Sequence, residues 1–232
     1  MRNLKDKRNN TELLNKLIII LVFGFMWSLS EVAIGGALRK IGFHYRSGLL
    51  TGIGMGIMGV AFAIYRKPIL LAGITFIAVL GKQLAIPLLH LTVLCRANSS
   101  IAVMLEGLSL AGVAAVMENR RKNGDMGRML TGASAALIAS AAFYYIGMHV
   151  APCRYLLSFN RPGGLISFLT VEGLIWAVFS AILFPAGFWA GNQVKEYIID
   201  VQIKRPAIYY LSASVLAVGF LIGNAIFVVA GF

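Results

Sequence analysis

Seven stretches of this chain, at about 17–38, 48–65, 68–89, 99–117, 129–150, 164–190 and 207–231, are almost wholly apolar. Each is about long enough to cross ~30 Å of hydrocarbon as a helix. Inside a bilayer no water satisfies the backbone, so a spanning segment must close its own hydrogen bonds, and consecutive runs of this length do so as α-helices. Hydrophobic residues make up 59% of the chain and charged residues 13%, with a mean hydropathy of +0.80, which excludes an ordinary soluble domain. The expected fold class is an all-α, polytopic helical membrane protein with about seven spans, six being the alternative count. The second stretch is short and the sixth long, so tilt or a break is expected. Residues 1–16 form a basic N-terminal segment, and 17–232 read as one transmembrane domain. The connections are too short to hold a folded soluble domain. The longest polar ones, Glu118 to Arg128 and Lys195 to Pro206, read as charged surface loops.

The net charge of +12 sits at the ends of the apolar stretches and forms no single stripe, which argues against a nucleic-acid partner. With seven spans, fourteen basic residues fall on the side of the N-terminus: Arg2, Lys5, Lys7, Arg8, Lys16, Arg66, Lys67, Arg120, Arg121, Lys122, Arg128, Lys195, Lys204 and Arg205. Six fall opposite: Arg39, Lys40, Arg46, Arg96, Arg154 and Arg161. Short basic loops stay in the cytoplasm, so the N-terminus is expected inside and the C-terminus outside. The order of a basic segment followed by LIIILVFGFMW resembles a signal peptide without an evident small-residue cleavage site, and reads as a retained signal anchor.

Four ionisable residues break the apolar stretches: Glu31, Lys82, Glu106 and Glu172. A charge at mid-membrane costs about 2.5 to 3.5 kcal/mol on insertion scales, so Lys82, in VLGKQLAIP, needs a partner or a cavity. Counted from the outer end of its own stretch, each of the four lies seven or eight residues in, about 10 to 12 Å below the outer surface. The expectation is a polar cluster open to the outside, shared by the first, third, fourth and sixth spans, with Gln83 and Asn224 as further members. An ion pair that locks the bundle and binds nothing is the competing reading.

HLTVLCRANSSIAVMLEGL and HVAPCRYLLSFNRPGGLISFLTVEGL share the order His, Cys-Arg, outer loop, apolar stretch and Glu-Gly-Leu. They read as a weak repeat of a two-helix unit, an arrangement from which transporters are often built. His44, His90 and His149 fall on the outer side with both cysteines, Cys95 and Cys153. A disulfide between the outer loops, a His90/Cys95/His149/Cys153 metal site, and neither of these all fit that placement, although the spacing is no metal motif. Gly52 and Gly56, and Ala33 and Ala37, have the small-xxx-small spacing that lets helix backbones approach. The partner of such a face is a helix of this chain or of another subunit.

No GxSxG, HExxH, Walker lysine or paired CxxC motif is present, so an enzyme is not the expected reading and no cofactor is called for. WSLSEVAIGG in the first span, GKQLAIP in the third and SSIAVMLEG in the fourth, in a small and nearly loop-free helical chain, resemble the substrate-binding S components of energy-coupling factor transporters over about residues 17 to 190. That resemblance implies an outward-facing pocket for a vitamin or a transition-metal ion. It also implies a small-residue face, here Ala33 and Ala37 or Gly52 and Gly56, docking on a transmembrane coupling subunit driven by ATPases. Such components commonly have six spans, so the 207–231 stretch is a departure.

The expected function is solute binding or transport in the cell (inner) membrane, with Glu31, Lys82, Gln83, Glu106, Glu172 and Asn224 at the site. Partners are then a small-molecule solute, membrane lipids and a coupling subunit. A proton-coupled transporter acting alone is the second reading, and a membrane enzyme or assembly scaffold the third. In a chain freed of its own cysteines, Arg161→Cys is expected to react with a membrane-impermeant thiol reagent on intact cells and Lys122→Cys only after lysis; the opposite pattern would invert the topology.

Overall fold

The structure is a computed structural model that describes residues 2–83, 93–118 and 124–231. Every long element is a helix: α1 Arg2–Lys40, α2 Arg46–Tyr65, α3 Pro68–Gln83, α4 Val93–Glu118, α5 Asp125–Val150, the short α6 Arg154–Leu157 and α7 Gly164–Phe168, α8 Leu174–Lys204 and α9 Pro206–Val229. A single π-helical turn, Leu169–Gly173, joins α7 to α8 without a break. Among the described residues six helical stretches are long and apolar enough to cross a membrane, and α3 contributes a further 16 apolar-rich residues up to Gln83. The protein is therefore a polytopic all-α membrane protein.

Local chemistry explains several boundaries. Arg66 takes a left-handed conformation at the end of α2, with φ 51°, and its N–H bonds back to the Phe62 carbonyl. Pro68 then opens α3, and Pro206 opens α9 directly after Lys204-Arg205. Proline suits a first helical turn because the N–H it lacks has no partner there. The expected surface loop at Lys195 to Pro206 is not found, since α8 runs as helix through Lys204. Its 31 residues amount to about 46 Å of helix, more than ~30 Å of hydrocarbon requires, so its polar end extends past the apolar layer.

The main packing contacts close a ring in the order α1, α3, α4, α5, α8 and α2, back to α1. Helix α9 lies outside this ring, mostly against α1. It buries few residues, among them Ala217, Asn224 and Val228, and turns Leu211, Val215, Ile222 and Ile226 outward. Near the N-terminal end of α1, Tyr65 and Tyr209 share a hydrogen bond of 3.2 Å, Tyr210 donates to Asn15 Oδ1, and Lys67 and Lys16 both pair with Glu12. On that same side the Arg66 and Arg128 guanidinium groups lie over the Phe188 ring at 4.6 and 4.3 Å.

The tightest seam is between α2 and α8. Gly48 faces Ile175, Gly52 faces Phe179 and Leu183, Gly56 meets Leu183 and Gly187, and Gly59 meets the Phe184 carbonyl. A Cβ on Gly187 would overlap the Gly56 backbone itself. Both Gly52 and Gly56 are thus consumed inside the chain and do not form a docking face for another subunit. The spacing is readable from the sequence, but it carries no information about which helix fills the groove. Ala33 and Ala37 differ from them, being half-buried and exposed respectively.

Away from the end that holds the α1–α2 connection, called the outer end after the sequence-based topology, the core is dense, with Met55, Met58, Leu71, Ile74, Leu110 and Phe184 buried. Gly187→Leu is expected to lower stability by at least about 1 to 3 kcal/mol through overpacking, whereas Gly112→Ala, which meets nothing within 4 Å, is expected to leave it unchanged. Thermal unfolding of both variants in detergent checks the contrast.

Candidate functional site

Glu31 answers the question that Lys82 poses. The lysine Nζ lies 2.7 Å from Glu31 Oε2 and also donates to Ser99 Oγ, so α1, α3 and α4 meet at one ammonium. Side-chain exposure is 8% for Lys82 and 6% for Glu31, which makes this a buried pair and not a surface bridge. Glu106, buried on α4, accepts a 2.9 Å bond from Thr51 Oγ1, while its other oxygen has no partner among the described residues. Thr51 also reaches the Ser47 carbonyl at 2.9 Å, so one hydroxyl proton serves two acceptors.

Glu172 is held differently. It lies in the π-turn, half-buried, and accepts 2.6 Å bonds from Ser47 Oγ and from the Tyr155 hydroxyl. Ser47 and Thr51 are one turn apart on α2, so Glu172 and Glu106 hang from the same face of that helix at different depths. The expected equal depth is therefore off by one turn for Glu106. Helix α4 begins well before Ser99, and counting from Ser99 sets its outer end too low.

The Tyr155 phenol stays a donor through neutral pH. Partial burial first, and the hydrogen bond and charge of Glu172 second, push its pKa above the ordinary tyrosine range.

Two cavities open on this outer end. The larger, about 1070 Å³, is bounded by the α1–α2 connection, the outer ends of α4 and α5, α6 and the π-turn. Its walls include Phe43, Tyr45, Phe143, Tyr155, Phe168 and Trp176, with Glu172 and Arg46 as charged groups. The smaller, about 280 Å³, is bounded by Glu31, Lys82, Arg39, Arg46, Ser47 and Ser99. Arg46, Ser47 and Ser99 line both, so the two are compartments of one depression. Their size is that of small-molecule sites, which run to roughly 300–1,000 Å³. Trp176 is 4% exposed, and its indole N–H and the Asn98 side-chain oxygen are buried without a hydrogen-bond partner among the described residues. Both residues line the large cavity.

Not every expected site residue is on these walls. Asn224 donates to the Gly81 carbonyl at 2.7 Å and to Ser28 Oγ at 3.1 Å, so it pins α9 to α1 and α3 behind the Lys82–Glu31 pair. Gln83 donates to Ser100 Oγ, a helix-to-helix tie between α3 and α4. Neither residue, nor Glu106, borders either compartment. On the outer face His149 bonds the Tyr145 carbonyl at 2.7 Å within its own helix. Among the described residues Cys153 is a free thiol that caps α6 through the Leu156 N–H. His90 and the Cys95 side chain lie outside the described residues; among those described, no group of three His, Cys, Asp or Glu is placed to hold a metal.

Arg46, Ser47, Thr51, Asn98, Tyr155 and Trp176 are not singled out by the sequence. The only signal is the run Phe43-His44-Tyr45-Arg46 in an outer connection, which reads equally as an interfacial anchor. No protein-family model, no curated protein and no solved structure matches this chain.

Removing one member of the buried pair is expected to be costly. Lys82→Met or Glu31→Leu alone should lose about 3 to 5 kcal/mol, because the survivor is left uncompensated, while the double variant combining them should recover most of that loss. A double-mutant cycle on unfolding in detergent measures the coupling.

Proposed function

We propose that this chain is a multi-pass solute-binding or transport protein of the cell (inner) membrane, and that the outer depression is where it captures its solute. The observation that carries this reading is the continuity of an aromatic-walled cavity with a compartment ending on a buried ion pair. Ion pairing alone would account for Lys82 and Glu31. It does not account for an open volume above them, or for a π-turn that brings Glu172 to its rim. Single π-turns inside α-helices occur frequently at functional sites because they re-aim side chains.

The cavity is closed toward the other side by the packed Met58, Leu110 and Phe184 layer, so in this arrangement solute enters from the outside only. Within that reading we favour the substrate-capturing subunit of an energy-coupling factor type system. A closed six-helix ring with α9 set outside it suits the six spans of such components, and the seventh helix is then an addition. Ala33 and Ala37 remain as the small-residue face for a coupling subunit. A stand-alone proton-coupled transporter is the second reading. It is favoured by Glu106, whose second oxygen has no partner among the described residues and whose first takes a hydroxyl shared between two acceptors.

The two readings separate in reconstituted vesicles. A proton-coupled carrier moves its solute with this chain alone and a pH gradient, whereas a capturing subunit binds but needs its coupling partner to release. Native mass spectrometry of the purified protein is expected to show a retained small molecule that Glu172→Gln weakens or loses. A wild-type protein that retains none, and an unchanged melting temperature across candidate solutes, would refute the proposal.

A further inference from the structure

The walls of the depression carry a statement about the solute itself, which rests on the reading of that depression as a solute site. Four rings, Phe143, Tyr155, Phe168 and Trp176, crowd one part of the large cavity, with Phe143–Trp176 centroids 5.8 Å apart and Phe143–Phe168 6.2 Å. These rings pack on one another, and the edges they leave toward the cavity favour a flat aromatic body. Among them the Trp176 N–H lacks an acceptor and the Asn98 oxygen lacks a donor among the described residues, and both are buried. Burying a polar group without a partner costs free energy, so these two atoms want a ligand that offers an acceptor and an N–H or O–H.

The charges divide unequally. Lys82 and Glu31 cancel at 2.7 Å, and both oxygens of Glu172 already accept hydroxyl bonds. Arg39 and Arg46 line the small compartment with no ion pair or hydrogen bond among the described residues. Glu172 keeps its negative charge, since hydroxyl bonds stabilise a carboxylate without neutralising it, but Arg39 and Arg46 outnumber it, so the lining is net positive, and their planar forks suit a carboxylate.

We propose that the solute is an aromatic acid: a planar, nitrogen-bearing ring seated against the cavity-facing edges of Phe143, Tyr155, Phe168 and Trp176, with a carboxylate reaching Arg46 and Arg39. The ring supplies the partners of the Trp176 N–H and the Asn98 oxygen. Glu172, held by Ser47 and Tyr155, borders the ring end of the site and does not receive the acid.

Isothermal titration of the full chain in maltoside micelles, with three probes and native mass spectrometry of the same preparation, tests this. Indole-3-propionate has ring, N–H and acid; tryptamine keeps the ring but is a cation; propionate keeps only the acid. The expected result is that indole-3-propionate binds at least about tenfold more tightly than either other probe, and that Arg46→Gln removes this preference, the loss of one charge-assisted contact. Neither arginine has a partner to lose among the described residues, and should a variant still fail to fold, the wild-type series decides alone. Tighter binding of tryptamine would overturn the aromatic acid and make Glu172 the anchor, while leaving the solute site standing. A retained solute of other chemistry, or a retained phosphatidylglycerol lost in Arg46→Gln, with no binding of indole-3-propionate, would do the same. No probe bound and nothing retained would overturn both this inference and the solute site.

Discussion

The backbones of α2 and α8 touch at Gly56 and Gly187, and the outer end of the molecule depends on that contact. Between lipid-facing helices the apolar effect offers no net drive, because the acyl chains are as apolar as leucine; close packing and the hydrogen bonds it permits must hold the pair. A glycine at every turn of α2 from Gly48 to Gly59 lets α8 approach without intervening side chains. That closeness brings Ser47 within 2.6 Å of Glu172 and sets Arg46 beside the same cavity that Trp176 borders.

The four intramembrane charges solve the same problem in three ways. Lys82 and Glu31 neutralise each other at contact distance, and Ser99 takes a second bond from the ammonium. Glu172 lies at the rim, where two hydroxyls replace water. Glu106 lies deepest and has one hydroxyl, shared with a backbone carbonyl. The Lys82–Glu31 pair resembles a structural tie although it lines the smaller compartment, whereas Glu106 keeps one oxygen without a partner among the described residues. Asn224 belongs with the ties, since it fastens the outlying α9 to the ring through Gly81, next to Lys82.

Much of the layout is legible in the sequence. Among the described residues the seven apolar stretches correspond to six helices of spanning length and α3, and Lys82 finds a carboxylate at its own level. The glutamates of the two Glu-Gly-Leu segments both accept bonds from hydroxyls one turn apart on α2. They are not equivalent, because one lies in a regular helix and the other in a π-turn that no periodicity announces. The charged Lys195 to Lys204 segment reads as a loop because its charges end the apolar run, yet polar residues continue a helix readily once it has left the hydrocarbon.

By itself the sequence determined that the chain must be a bundle of membrane helices and that its buried charges must find partners. Both follow from the absence of water in the bilayer, a constraint that acts on each segment locally. Which charge meets which, that Gly52 and Gly56 face α8 and not another subunit, and that rings from separated segments enclose a cavity beside Arg39 and Arg46, were decided only by the tertiary structure. Those outcomes depend on the rotation of each helix about its own axis and on the order of helices around the ring, and a nearly uniform apolar sequence encodes both too weakly to be read one segment at a time.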